Sequence, residues 1–462
     1  MRMSSSRPET LRQALALASV PAGSMLSDGQ DSVALRQALD GSVIAAHTSV
    51  LAGKSVLLAA GRQIEAALAL IELDGLARRI VVLPPDVKPQ QLPAIIRDAS
   101  VDAIVCSDPD SYAGFGIPVF SVGLEPRETD AARSSERATE WLMLTSGTTG
   151  DPKLAVHSIA GLTGAIPAFD PQAPRPVWAT FYDIRRYGGL QIFLRAMVCG
   201  GSLILSQPGE AVANHLQRLV RSGVTHVSGT PTHWRRVLMT KAETGFAPDY
   251  VRLSGEIADQ AVLDGLQAAF PKASIGHAYA STEAGVGFDV NDGREGFPAS
   301  YLEAPRNGVE MRVVDGCLHL RSSRRASSYA GRPDLVLADE QGWVDTGDMV
   351  ECRDGRCHFI GRRSGVINVG GLKVHPEEIE TVINRHDAVR QSKVKPRKSP
   401  IIGSIVVAEV VLRDGSENTE QIRRTIIELC AAQLPPHKVP AVVNIVSAIE
   451  MTAGGKVSRQ HA

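Results

Sequence analysis

The sequence predicts an α/β protein: a large N-terminal domain of parallel, helix-covered sheets with a small β subdomain, then a small α+β C-terminal domain. Three observations predict it. Residues 42–110 alternate short apolar strands with helical patterns, and the alternation resumes between 201 and 240. From about 296 to 360 the texture changes to short alternating runs broken by Asp-Gly turns. After Gly361 a unit of about one hundred residues follows, enough for a small domain of its own.

The elements follow in order. Residues 14–20 read as an amphipathic helix rather than a secretion signal, because Glu9 and Arg12 precede a short apolar run. Ser55 to Ala59 is a buried strand, Ile64 to Leu73 a helix, and Arg79 to Leu83 a strand. Gln91 to Ala99 is a helix and Ala103 to Cys106 the next strand. The polar stretch 127–140 is an exposed linker. Strands at 201–205 and 225–228 then alternate with helices at 211–222 and 232–240. In the β subdomain, Met311 to Val314 and Cys317 to Leu320 flank an Asp-Gly turn. In the last unit, Pro376 opens a helix with acids in its first turn. Strands near 391–395, 404–412 and 439–446 surround a helix capped by Thr419, with Ile422, Ile426, Ile427, Cys430 and Leu434 on one face. The predicted domains are 1–361 and 362–462.

Bulk properties narrow the class. A chain of 462 residues is too long for one ordinary core. Hydrophobic content of 44% and charged content of 21% are those of a soluble globular protein. A net charge of −1 provides no field for nucleic acid or membrane. The most apolar stretch, 401–412, contains Glu409 and is too short to span a bilayer. The cysteines at 106, 199, 317, 352, 357 and 430 fit no common zinc spacing and read as free, partly buried thiols of a reducing cytoplasm.

The chemistry concentrates at 142–154. An apolar strand enters it, and then Thr145, Ser146, Gly147, Thr148, Thr149 and Gly150 present hydroxyls, backbone N–H groups and little bulk. Such a loop cradles phosphate oxygens. It is not the usual nucleotide-triphosphate loop, because Lys153 lies three residues after Gly150 and is followed by Leu154.

This loop resembles the phosphate loop of the adenylate-forming superfamily of acyl- and aryl-CoA synthetases, nonribosomal adenylation domains and luciferases. Four further segments resemble that superfamily's motifs, in its order. They are Tyr279-Ala280-Ser281-Thr282-Glu283, Trp343-Val344-Asp345-Thr346-Gly347-Asp348, Gly361-Arg362-Arg363 through Gly370-Gly371-Leu372-Lys373-Val374-His375-Pro376-Glu377-Glu378, and Gly454-Gly455-Lys456-Val457-Ser458-Arg459. The resemblance, nearest to acyl-CoA synthetases, spans 142 to 459.

What it implies is an AMP-forming ligase using ATP, Mg²⁺ and coenzyme A. A carboxylic acid attacks the α-phosphate of ATP, and the acyl group then passes to a thiol. By this resemblance Lys456 and Thr282 act at the α-phosphate, and Glu283 holds Mg²⁺. Asp348 grips the ribose hydroxyls and Arg362 lies on the nucleotide side of the hinge. Gly255, Glu256, His277, Ala278 and Tyr279 line the nucleotide with Lys153. The C-terminal domain is expected to swing, withdraw Lys456, and bring Gly370, Gly371 and Lys373 to the thiol. Lys393, Lys395, Arg397 and Lys398 would then meet CoA phosphates or an acidic carrier protein. Arg186, Tyr187, Gly189 and Ala280 are assigned to the acid.

The sequence departs from the pattern at Ala280, which replaces a glycine, at Ser364 in the hinge, and between 181 and 190. There, Arg185 or Arg186 falls near a position usually held by His, and Tyr187 reads as an aromatic gate. An inward Arg could read a second carboxylate and an inward Asp183 an amine. An outward pair is favoured, because unpaired charges are seldom buried. Loading of a separate carrier protein and an inactive nucleotide-binding homologue are the alternatives. No carrier domain follows Lys456 in the sequence. A cytoplasmic location and possible homodimer complete the expectations.

Overall fold

The computed structural model describes residues 10–45, 48–128, 137–145, 152–167, 170, 172–240, 245–369, 372–399, 403–413, 418–451 and 457. Among these, two large mixed sheets form the N-terminal domain. In the seven-stranded sheet the order is Gly41–Ile44, Val119–Glu128, Ala103–Cys106, Ser55–Ala59, Arg79–Val82, Glu140–Thr145, Lys153–Ser158. Its middle strands are parallel and its two edges antiparallel. The eight-stranded sheet runs Gly285–Val290, Ser274–Ser281, Tyr250–Ser254, His226–Gly229, Val177–Thr180, Ser202–Ile204, Met25–Ser27, Ser32–Ala34, again parallel in the middle.

Strands such as Ala103–Cys106 are buried along their whole length, as a parallel sheet with both faces covered requires. Two helices, Gln63–Leu73 and Tyr187–Val198, are also buried almost all round. They share one core with residues of both sheets, which accounts for their apolar rather than amphipathic sequence. Polar anchors hold them. Gln63 donates to the Ser206 carbonyl at 2.7 Å and accepts from the Ile184 amide at 2.8 Å. Asp74 accepts from the Leu11 amide at 2.7 Å and from the Trp141 indole at 2.8 Å.

The β subdomain is a five-stranded antiparallel sheet. Its hairpins turn at Asp315-Gly316 and Asp354-Gly355, all four residues at positive φ, as two-residue turns of this type demand. The second turn corrects the cysteine reading. It sets Cys352 directly opposite Cys357 across the ladder, and the two form a disulfide. The other four cysteines are free and buried. Their small apolar side chains pack in the core.

The C-terminal unit has its own core around Ile367, Ile379, Val394, Ala408, Ile426 and Val443. Helices Pro376–Ile383 and Thr419–Gln433 pack on the sheet Val389–Ser399, Gly403–Leu412, Val442–Ile445. The cap of the second helix is Asn418 rather than Thr419: its side chain accepts from the Gln421 amide, and its backbone is left-handed, a conformation that Asn tolerates well. Among the described residues, no helix is long and apolar enough to cross a membrane.

Burial pushes the Asp74 carboxyl up from 3.8 to about 6. The folded state therefore binds its proton more tightly than the unfolded chain, and this group's contribution to stability falls as pH rises through that window. We expect Asp74→Ala to orphan two buried donors and lower stability by about 2–4 kcal/mol. A shifted urea midpoint would show the loss, and the wild-type pH slope between about 4 and 6 would flatten in the variant.

Candidate active site

Parallel sheets place ligands at the carboxyl ends of their strands. Three neighbouring parallel strands end together here: His226–Gly229 leads to Thr230, Tyr250–Ser254 to Gly255 and Glu256, and Ser274–Ser281 to Thr282 and Glu283. Gly255 sits at φ 85°, a backbone angle that favours glycine.

The β subdomain brings Asp348 to this edge. Asp348 pairs in register with Arg362, and the Arg362 Nε donates to Asp348 Oδ1 at 2.9 Å. The Tyr279 hydroxyl donates to Asp348 Oδ2. Burial, then the Asp348 charge, raises the Tyr279 phenol well above its usual range, so it stays a donor. The Tyr279 ring lies nearly parallel to Phe288 and Phe359, with centroids 5.6 and 5.2 Å away. Each Asp348 oxygen has one partner here and keeps acceptor capacity for a second. Paired hydroxyls of a ribose fit that donor–acceptor pattern. Arg362 has an exposed side chain and keeps its two terminal nitrogens for an anion.

A second set surrounds Glu283. The Tyr329 hydroxyl bonds to Glu283 and is pushed up to about 12, by burial first and by Glu283 second. The Lys153 ammonium lies 5.5 Å over the Tyr329 ring. Lys153 pairs with Thr145 across the hairpin that carries the predicted phosphate loop. His157, on the same strand as Lys153, is buried beside the Thr282 backbone, and neither of its ring nitrogens has a hydrogen-bond partner. Burial lowers it to about 4, so it is neutral at pH 7. Ser146, Gly147, Thr148, Thr149 and Gly150 lie outside the described residues.

Glu256 links two distant segments. It accepts from the Thr232 amide at 3.0 Å and from the Val457 amide at 3.1 Å. Val457 directly follows Lys456, which itself lies outside the described residues. So do Gly370 and Gly371. Lys373 is exposed, on the two-stranded ribbon that flanks them. His277 bonds through Nε2 to the Arg294 carbonyl at 3.0 Å, and Ala278 is buried opposite Ser254.

The 181–190 segment departs from expectation. Asp183 and Arg185 do not point outward: Arg185 is 1% exposed. Its guanidinium grips both Asp183 oxygens at 2.8 and 2.6 Å and donates to the Ala60 and Gly61 carbonyls at 2.7 and 3.0 Å. Every charge there is answered inside the protein, so neither residue is free to read a substrate. Arg186 pairs with Asp86, both side chains partly exposed. Tyr187 is buried, and its hydroxyl has no hydrogen-bond partner. Gly189 is required by packing, because a Cβ would lie 2.2 Å from the Asp183 carbonyl. Ala280 sits opposite Val286 beside a bulge. The basic run is also split. Lys393, Lys395 and Arg397 alternate onto one strand face and Lys398 onto the other, and Lys395 is paired with Glu409. Sequence reading passed over Tyr329 and His157. Tyr329 stands in a polar loop and His157 in an apolar strand, and neither carries a spacing signal.

Comparisons with known proteins show the family and the fold. The family model of the AMP-binding enzymes matches residues 44–319, more than half of the chain, and the model of their C-terminal domain matches 378–456. The chain belongs to the AMP-binding enzyme family. It is 28% identical to a 2-succinylbenzoate–CoA ligase of Salmonella typhimurium, over 79% of this chain and 78% of that one. It is 24% identical to a mitochondrial medium-chain acyl-CoA ligase of Rattus norvegicus, over 69% of this chain and 56% of the relative. In structure it is similar to an anthranilate CoA ligase in complex with anthranoyl-AMP, with a TM-score of 0.80 and 20% identity over 98% and 96% of the two chains.

For this AMP-binding enzyme, Arg185→Met is expected to lower stability by about 3–5 kcal/mol, because it strands the Asp183 charge. The double variant Asp183→Asn/Arg185→Met should recover much of that loss. Denaturant midpoints of the two variants check it.

Proposed function

We propose that the protein is an AMP-forming acid–thiol ligase. It activates a small or medium carboxylic acid as acyl-AMP and passes the acyl group to the thiol of coenzyme A. The observation that carries this reading is Asp348, held by Tyr279 and Arg362 at the strand ends where Thr282 and Glu283 emerge.

The residues divide the work. Asp348 accepts from the ribose hydroxyls. The hydroxyl-rich loop after Thr145, with Lys153, receives the phosphates. Thr282 donates to the α-phosphate, and Glu283 would hold Mg²⁺, which masks phosphate charge when bound. Lys456 stabilises charge developing at the α-phosphate and bridging oxygens. The Val457–Glu256 bond supports that role, because it tethers the neighbour of Lys456 to the strand-end edge. We take the domain boundary at 361/362, just before the segment with its own core. A swing of residues 362–462 would remove Lys456 and admit the thiol beside Gly370, Gly371 and Lys373. All three relatives named above are CoA ligases, which favours CoA over a carrier protein as acceptor. A cytoplasmic location suits such an enzyme.

Pyrophosphate exchange with ATP, Mg²⁺ and a broad panel of carboxylic acids tests the reading. Exchange with at least one acid is expected, and silence across the panel in folded protein would overturn it. Lys456→Ala should abolish exchange yet still form thioester from a supplied acyl-adenylate. Thioester formation on a carrier protein but not on CoA would move the acceptor assignment.

Asp348→Ala should weaken ATP binding by about 1–3 kcal/mol, the worth of hydrogen bonds to a charged acceptor. Titration of wild type with 2′,3′-dideoxy-ATP should show a similar loss. Equal binding of ATP and the dideoxy analogue would refute the ribose assignment.

A further inference from the structure

The helix Tyr187–Val198 carries a polar ridge into the core. Tyr187, Gln191 and Arg195 are spaced by four residues, so they share one helix face. All three are at least nine-tenths buried. The Tyr187 hydroxyl, Gln191 Oε1, and Arg195 Nε and Nη2 have no hydrogen-bond partner. Such groups cost free energy unless something answers them.

What faces them is mostly positive. Arg252 lies 5% exposed on the strand Tyr250–Ser254, in register with Ser228, whose hydroxyl is also buried and unpartnered. Arg324 is 8% exposed. Both act electrostatically on Arg195, as do Asp289 and Tyr250. Asp289 is taken by Arg252 at 2.5 Å, and Arg252 also donates to the Tyr250 hydroxyl at 3.3 Å. Arg324 donates to the Val286 and Asn307 carbonyls. Arg252 holds the Asp289 carboxylate, and beside it Arg195 Nε and Nη2 stay without a partner. Burial, then Arg252, lowers its affinity for its own proton.

The ridge begins at the reaction edge. Tyr187 packs against His157, with ring centroids 5.4 Å apart, and His157 lies beside the Thr282 backbone. Arg195 lies two helical turns deeper, about 12 Å along the axis. On the facing sheet, Gly276, Ala278 and Ala280 share the face of Arg252 and are small. An acid activated at Thr282 would therefore extend toward Arg195.

We infer that Arg195, backed by Arg252 and Arg324, receives a second carboxylate at the far end of the activated acid. The substrate class is then a dicarboxylic acid, with a chain of several carbons or one ring between its two acid groups. A carboxylate accepts two parallel bonds from a guanidinium and would neutralise the surplus charge. The inference rests on the adenylation reading above and narrows its substrate.

The experiment is pyrophosphate exchange with paired acids: adipate against hexanoate, pimelate against heptanoate, phthalate against benzoate. Wild type is expected to favour the diacid of each pair. Arg195→Met should raise KM for diacids about 10- to 100-fold, leave KM for ATP unchanged, and narrow the gap to the monoacids. Arg195→Lys should restore part of the diacid preference. The thermal midpoint of Arg195→Met should be at or above wild type, because an unpaired buried cation is removed. Preference of wild type for monoacids, equal losses on both acids, or a destabilised Arg195→Met would overturn the inference while leaving adenylation intact. No exchange with any acid would overturn the adenylation reading, and this inference with it.

Discussion

The Asp183–Arg185 pair is the contact on which the rest of the site depends. Arg185 hangs from the eight-stranded sheet, on the turn before the helix Tyr187–Val198. Its guanidinium reaches the Ala60 and Gly61 carbonyls, just past the end of Ser55–Ala59 in the seven-stranded sheet. Gln63 repeats the tie in the opposite sense through Ile184 and Ser206. The two sheets share one apolar core, and apolar packing alone is non-directional. These bonds pin their carboxyl edges together, and buried charges joined in this way tolerate little displacement. The phosphate loop comes from one sheet, while Thr282, Glu283 and Glu256 come from the other. Their relation is set at this junction.

A second constraint comes from the β subdomain. Asp348 is useful only where Tyr279 stands, and Tyr279 belongs to the eight-stranded sheet. One hydrogen bond between the two fixes both. Arg362 is the register partner of Asp348 and lies next to the proposed domain boundary. Its charge would then be coupled to any movement of the C-terminal unit. Val457, at the other end of that unit, is bound to Glu256. The two contacts would have to break or rearrange for the proposed swing, and exposed groups such as Arg362 can do so at modest cost.

Much of the fold was legible in the sequence, because it depends on local signals. Ser55–Ala59 reads as a buried strand from its unbroken apolar run, and the Asp-Gly dipeptides mark the hairpins of the β subdomain. The ordered motifs placed Thr282, Asp348 and Arg362 in one region, and the geometry does bring Tyr279, Asp348 and Arg362 together. What was not legible arises from contacts between distant segments. Arg185 looked like a candidate for the surface or the substrate, and nothing near it in sequence announces the carbonyls at 60 and 61. Cys352 and Cys357 pair only because a two-residue turn sets the register between them. Arg195 and Arg252 are single charges in two separate apolar elements and Arg324 lies in a polar turn beside Arg325, and only the fold makes them neighbours.

The most direct measurement is a crystal structure with a sulfamoyl analogue of the acyl-adenylate of a dicarboxylic acid. The account predicts both ribose hydroxyls within hydrogen-bond distance of Asp348, the linkage beside Thr282, and the distal carboxylate on Arg195. A nucleoside bound away from Asp348, or an acyl chain turned out of the buried ridge, would contradict it.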